Sequence, residues 1–158
     1  MTAMTNVLSE TPVKSNLSIP FLHFGARLPS RPSPADLLNT YTSLYDTAAA
    51  SVRRFAEQNP NELSLHDTQD GSLPISYNLA ITNEIMVICP RRREGEMLRR
   101  DDGSEVDFVA LNGTVLAGTL MVKNEEAFEL LKQDAGRLGK ILKGIGLPTG
   151  GENARGKM

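Results

Sequence analysis

A single apolar stripe dominates this chain. Leu37, Leu38, Tyr41, Leu44, Tyr45, Ala48, Val52 and Phe55 recur at spacings of three and four, the repeat of one helix face. The stripe has clear ends. Ser33 is a capping residue, Pro34 suits the first helical position, and Asp36 stands where a capping-box acid belongs. Asn59-Pro60 closes it, because the residue before proline leaves helical geometry. The spacing therefore predicts a helix over 35–58 whose stripe must pack on something.

The rest of the chain supplies the partner surface. Phe21-Leu22-His23-Phe24 reads as a strand, broken by Pro29, Pro32 and Pro34. Residues 60–74 are polar and turn-rich. In Ile75 to Thr82 the odd positions are apolar, while Ser76, Asn78 and Thr82 face the other way, which predicts a strand with one polar side. Asn83-Glu84 turns the chain into the apolar run Ile85 to Cys89, and Pro90 is expected to stop it. Arg91 to Gly103 reads as a charged, irregular loop. Val106–Leu111 and Val115–Val122 read as two further strands joined through Asn112-Gly113, a pair that tolerates hairpin turns. Asn124-Glu125-Glu126 starts a helix with acids at its positive end. Asp134 caps a last helix, ended by Gly146 and Pro148. Strand, long helix, four strands and two helices make an α+β domain with a mainly antiparallel sheet packed by helices. One domain is expected over 19–148, with a flexible lead-in over 1–18 and a flexible tail over 149–158.

Composition excludes some function classes. A chain of 158 residues with 40% hydrophobic content can bury a core unaided, and its net charge of −2 gives no general attraction to nucleic acid. No apolar run reaches membrane-span length. The one cysteine, Cys89, sits in an apolar run and reads as a buried thiol. Cytoplasm is the expected location, with the nucleus second, and neither a nucleic-acid nor a membrane partner is expected.

Metal, cofactor and acid–base chemistry find little support. His23 and His66 are distant in sequence and neither has a ligand-spaced partner. His23, between Leu22 and Phe24, reads as a packed histidine, and His66 as a solvated one. The G-x-x-x-x-G-K match at Gly151–Lys157 lacks the preceding strand and the Ser/Thr of a working phosphate loop, so it reads as chance. Arg91-Arg92-Arg93 and Arg99-Arg100 could hold a polyphosphate. The plainer reading is a loop balanced by Glu94, Glu96, Asp101 and Asp102, with Arg91 as the exception because it follows a strand directly. The stretch Asn112 to Lys123 opens on a turn, places Gly118 where close approach is common, and ends on a lysine. It reads equally as a plain hairpin and as a seat for phosphates.

These residues carry a resemblance. Ser76-Tyr77-Asn78, Thr82 and Val87-Ile88-Cys89-Pro90-Arg91 resemble the S-Y-N-x-x-x-T and V-x-P-R pattern of the ATP adenylyltransferase (diadenosine tetraphosphate phosphorylase) family, C-terminal domain. Asn112 to Lys123 resembles its N-S-x-G-x-x-G-x-x-x-V-K stretch, and Gly146-Leu147-Pro148 its closing G-x-P. The resemblance covers about Ile19 to Pro148. It implies one half of a histidine-triad-like, galactose-1-phosphate uridylyltransferase-like fold. It also implies a function: cleavage of diadenosine tetraphosphate by phosphate into ATP and ADP, with adenine nucleotides as ligands and no cofactor. The substrate-binding positions it implies are Asn112, Gly113, Thr114, Thr119 and Lys123. Gly113 stands where the family has Ser, Val115 where it has Gly, and Thr119 where it has Met. The family's nucleophile is a histidine in an H-x-H-x-Q motif, and no such motif occurs in this sequence. No catalytic residue is therefore assigned. The chain is expected to be inactive alone, working with an H-x-H-x-Q-bearing N-terminal half or as a homodimer. The alternative is a non-catalytic binding or interaction module derived from that fold.

Overall fold

Strand β1, Phe24–Arg27, precedes helix α1, Pro34–Gln58, in the computed structural model, which describes residues 19–63, 75–116 and 119–149. Four strands follow: β2 (Ser76–Ile81), β3 (Ile85–Arg91), β4 (Gly95–Arg99) and β5 (Glu105–Ala110). The chain then forms α2 (Gly113–Leu116), α3 (Glu125–Gln133) and α4 (Ala135–Ile145). The α+β antiparallel reading holds, but the strands divide into two sheets. β3 is the middle of a three-stranded sheet in the order β1-β3-β2, and β4 pairs with β5 alone.

The helix starts where the capping chemistry places it. Ser33 Oγ accepts from the Asp36 N–H at 3.2 Å, and Asp36 Oδ2 accepts from the Ser33 N–H at 2.8 Å, so two end donors are satisfied reciprocally. At the other end the Asn59 N–H donates to the Phe55 carbonyl at 2.9 Å. The stripe is buried from Leu44 onward: Leu44, Ala48, Val52 and Phe55 pack with Met86 and Ile88 of β3. Each large side chain so buried contributes about 1.5–3 kcal/mol. Leu37, Tyr41 and Tyr45 pack partly buried against the same core, the two tyrosines on the Tyr77 ring of β2, and only Leu38, 63% exposed, departs from expectation.

Residues on the other side of the three-stranded sheet join a second core. Cys89, Leu98, Val109, Leu111, Ala127, Ile141 and Ile145 pack there with Phe21. Two backbone links fasten α4 to the sheet: Arg91 bridges Gly146, and the Arg92 N–H donates to the Ile145 carbonyl at 3.0 Å. Gly146 has no room for a side chain, since a Cβ there would lie 2.4 Å from the Phe21 Cβ.

Several expectations are corrected. Residues 21–23 are not strand. The Leu22 N–H goes to the Leu147 carbonyl at 2.8 Å, and the ladder with β3 begins at Phe24 opposite Ile88. Pro90 does not stop its strand: β3 runs on to Arg91 with Pro90 opposite Tyr77. β1 pairs only as far as Ile88, so the N–H that proline lacks has no ladder partner waiting on that side. The charged 91–103 loop contains β4, whose Gly95 lies under the Phe108 ring and whose Leu98 is buried. Asn112-Gly113 is not a hairpin turn, and the described residues of 115–122 form no strand, because Asn112 caps the one-turn helix α2 instead. Both later helices start as read, with Asn124 accepting from the Ala127 N–H and Asp134 from the Gly136 N–H. His66, Gly118 and the Gly151–Lys157 match lie outside the described residues.

Candidate functional site

The turn after β5 gathers four of the five residues singled out from sequence. Asn112 Oδ1 accepts from the Thr114 N–H at 3.1 Å, the Thr114 hydroxyl at 2.6 Å and the Val115 N–H at 3.2 Å. This is a side-chain cap, and it explains why an asparagine opens the segment. Gly113 is exposed, with nothing within 4 Å of where a Cβ would stand. The Thr119 N–H donates to the Thr114 carbonyl at 2.8 Å, bringing Thr119 back to the same turn. Asn112, Gly113, Thr114 and Thr119 are all exposed there.

Lys123 is placed elsewhere. Its backbone N–H donates to Asp107 Oδ2 at 2.8 Å, and Asn124 Nδ2 donates to the Val106 carbonyl at 3.3 Å. Asp107 and Leu111 are four residues apart, about 14 Å of extended chain at about 3.4 Å per residue. The segment after α2 thus returns toward the start of β5. It is held there by side chains rather than by a ladder, and the described residues of the β-rich stretch 115–122 form no strand. Lys123 is exposed, and its ammonium forms no ion pair among the described residues.

Asp107 was missed from sequence. It is 9% exposed and accepts from the Phe108 N–H at 2.8 Å as well as from Lys123. The available signal was an acid at an inward-facing strand position, opposite the buried Leu98.

The arginine segment resolves into paired and unpaired members. Arg92 meets Glu62 at 2.7 Å, Arg93 meets Glu96 at 2.6 Å, Arg99 meets Glu105 at 2.7 Å and Arg100 meets Glu126 at 2.5 Å. The hydrogen bonds to Arg100 hold the Glu126 carboxyl below its usual range. Arg91 is the exception expected from sequence. Its Nη1 donates to the Leu111 carbonyl at 2.8 Å, and no carboxylate faces it among the described residues.

His23 behaves as a packed residue. Its Nδ1 donates to the Phe21 carbonyl at 3.1 Å, and its Nε2 is shielded from solvent without a partner. Cys89 is fully buried, and burial pushes its thiol up to about 12. No group of three metal-ligating side chains occurs among the described residues, and no described helix is long and apolar enough to cross a membrane.

Comparison with known proteins places this chain in a family. A search of curated proteins finds no match. Among solved structures, yeast Ap4A phosphorylase Apa2 superposes with a TM-score of 0.56 at 23% identity. The match covers 81% of this chain and 37% of the yeast chain, so the likeness is one of fold, to part of a longer protein. The ATP adenylyltransferase C-terminal domain family matches residues 17–148. By that match, which spans most of its length, this chain belongs to the ATP adenylyltransferase family, as a C-terminal domain.

Proposed function

We propose that this domain binds adenine nucleotides as the substrate-contacting half of a diadenosine tetraphosphate phosphorylase, while the histidine nucleophile comes from a second, H-x-H-x-Q-bearing half. One observation carries the reading. In a chain of this family, Asn112, Gly113, Thr114 and Thr119 share one exposed turn, and the Lys123 ammonium is unpaired among the described residues. An exposed turn and an unpaired cation suit a polyanionic ligand. Positioning of this kind contributes to catalysis only when a nucleophile is supplied.

Calorimetry with ATP on the native protein and on Lys123→Ala tests this. Loss of one charge-assisted contact is worth about 1.5–3 kcal/mol, or about 10–150-fold in affinity. Equal affinities, or no ATP binding by the native protein, would reject the reading.

A second reading is a binding module without catalysis, acting through a homodimer or another partner. It is favoured by the outer side of the β4–β5 pair, where Phe108 is 43% exposed opposite Met97. Sedimentation of the soluble protein, alone and with an H-x-H-x-Q half, separates the two readings.

A further inference from the structure

Arg91 is held in place without being neutralised. Four arginines between positions 92 and 100 each have a carboxylate within 2.7 Å, while Arg91 has only the Leu111 carbonyl. Its Nε–H is shielded from solvent and finds no acceptor. Its Nη2 makes no hydrogen bond among the described residues, and the residue keeps part of its surface exposed. A guanidinium that is partly desolvated and unpaired is costly, and an anion offsets that cost.

Its neighbours on the sheet are a hydroxyl and a carboxamide without partners among the described residues. The register puts Ser76 directly opposite Arg91 and Asn78 opposite Cys89. Alternation sets all four side chains on the side of the sheet away from α1. Ser76 is exposed, and its hydroxyl has no partner among the described residues. The Asn78 carboxamide is unbonded, with Oδ1 buried and unpaired. Turning the amide over therefore breaks no hydrogen bond and presents its N–H₂ group. Cross-strand and diagonal neighbours of this kind lie about 5–8 Å apart, within reach of one tetrahedral oxyanion. α2 packs against β2, and Leu111, which anchors Arg91, immediately precedes Asn112.

We propose that Arg91, Ser76 and Asn78 form a phosphoryl-oxyanion subsite beside the Asn112–Thr114 turn. The subsite is separate from Lys123, whose backbone is held near the opposite end of β5. The proposal rests on the nucleotide reading only for what carries the phosphoryl group, which is either the ligand's own phosphate chain or free inorganic phosphate. The guanidinium supplies charge and a planar donor pair, and the hydroxyl and carboxamide fix the remaining oxygens.

The test is calorimetry with ATP, inorganic tripolyphosphate, inorganic phosphate and adenosine on native protein, Arg91→Gln and Arg91→Lys. Arg91→Gln is expected to weaken ATP and tripolyphosphate at least about tenfold, leave adenosine unchanged, and be partly rescued by lysine. Arg91-dependent binding of inorganic phosphate alone assigns the subsite to the free ion. Dependence seen only with ATP and tripolyphosphate assigns it to the nucleotide chain. Arg91-dependent tripolyphosphate binding with no preference for ATP supports the subsite and rejects the adenine-nucleotide reading. Unchanged affinities in folded Arg91→Gln overturn the subsite and leave the Lys123 reading standing. A native protein that binds none of the four ligands overturns both. If Arg91→Gln fails to fold, the Nε–H resonance of Arg91 in isotope-labelled native protein carries the test. A shift on adding tripolyphosphate supports the subsite, and an unmoved resonance overturns it.

Discussion

The carboxylate of Asp107 receives the backbone N–H of Lys123 at 2.8 Å, so a buried acid on β5 determines where an exposed cation begins. Asp107→Ala leaves two backbone donors, those of Phe108 and Lys123, without their acceptor. The expected loss is about 1–3 kcal/mol, read as a lower urea midpoint. Asp107→Asn should lose less, since one acceptor oxygen remains. Wild-type stability in Asp107→Ala would mean that water replaces the carboxylate.

Removing a buried side chain from the helix stripe should show where α1 does its packing. Leu44→Ala is expected to cost about 2–5 kcal/mol, while Leu38→Ala, at an exposed position, should change stability by less than about 0.5 kcal/mol. Comparable losses at both sites would mean that a partner covers the first turns of the helix in solution.

High pH should act through the tyrosines. The Tyr41 and Tyr77 hydroxyls lie 2.7 Å apart, and the hydrogen bond between them, with burial second, raises Tyr77 to about 12. A phenol that ionises late in the folded state favours folding below its ordinary pKa of about 10. That contribution is lost as pH rises from about 10 toward 12, because the unfolded chain releases its proton first. The chain has three tyrosines and no tryptophan, so tyrosinate absorbance reads them directly. Tyr41→Phe should move the late step back toward 10. A Tyr77 transition that stays near 12 in that variant would assign the shift to burial alone.

Activity should be absent from the domain alone. The Nδ1 of His23 is occupied by Phe21, and its Nε2 is shielded from solvent, so neither nitrogen can attack phosphorus. Incubation with labelled ATP is expected to leave no acid-labile label on the chain, and dinucleotide turnover in phosphate should stay at background. Turnover on adding an H-x-H-x-Q half supports the two-half reading. Robust turnover by the domain alone that vanishes in His23→Ala would overturn it.

Local chemistry was legible in the sequence, and distant pairing was not. The boundaries of α1, α3 and α4 were readable because Ser33 with Asp36, Asn124, Asp134 and Gly146 act within a turn of where they stand. β4 was hidden because Gly95-Glu96-Met97-Leu98-Arg99 contains one inward apolar residue among charges, and its strand state depends on pairing with β5. The stretch 115–122 has strand-forming residues, but Asp107 and Asn124 hold the chain that follows it through side chains. A one-dimensional pattern does not report that. At the site, the gathering of Asn112, Gly113 and Thr114 followed from adjacency. The separation of Lys123 did not, nor did the pairing of Arg92 with Glu62 and Arg100 with Glu126, which are 30 and 26 residues apart.

Asp107 and Asn124 also bear on what happens when many copies of the chain meet. A strand edge with free backbone groups is a template for another chain's strand and a common start of aggregation. On β5, the Val106 carbonyl is taken by an asparagine amide, and the facing Lys123 N–H is taken by a carboxylate. The Val106 carbonyl is thus committed to a side chain, with the Lys123 backbone lying beside it. The same anchoring that places an exposed lysine also occupies part of the edge that an incoming strand would need.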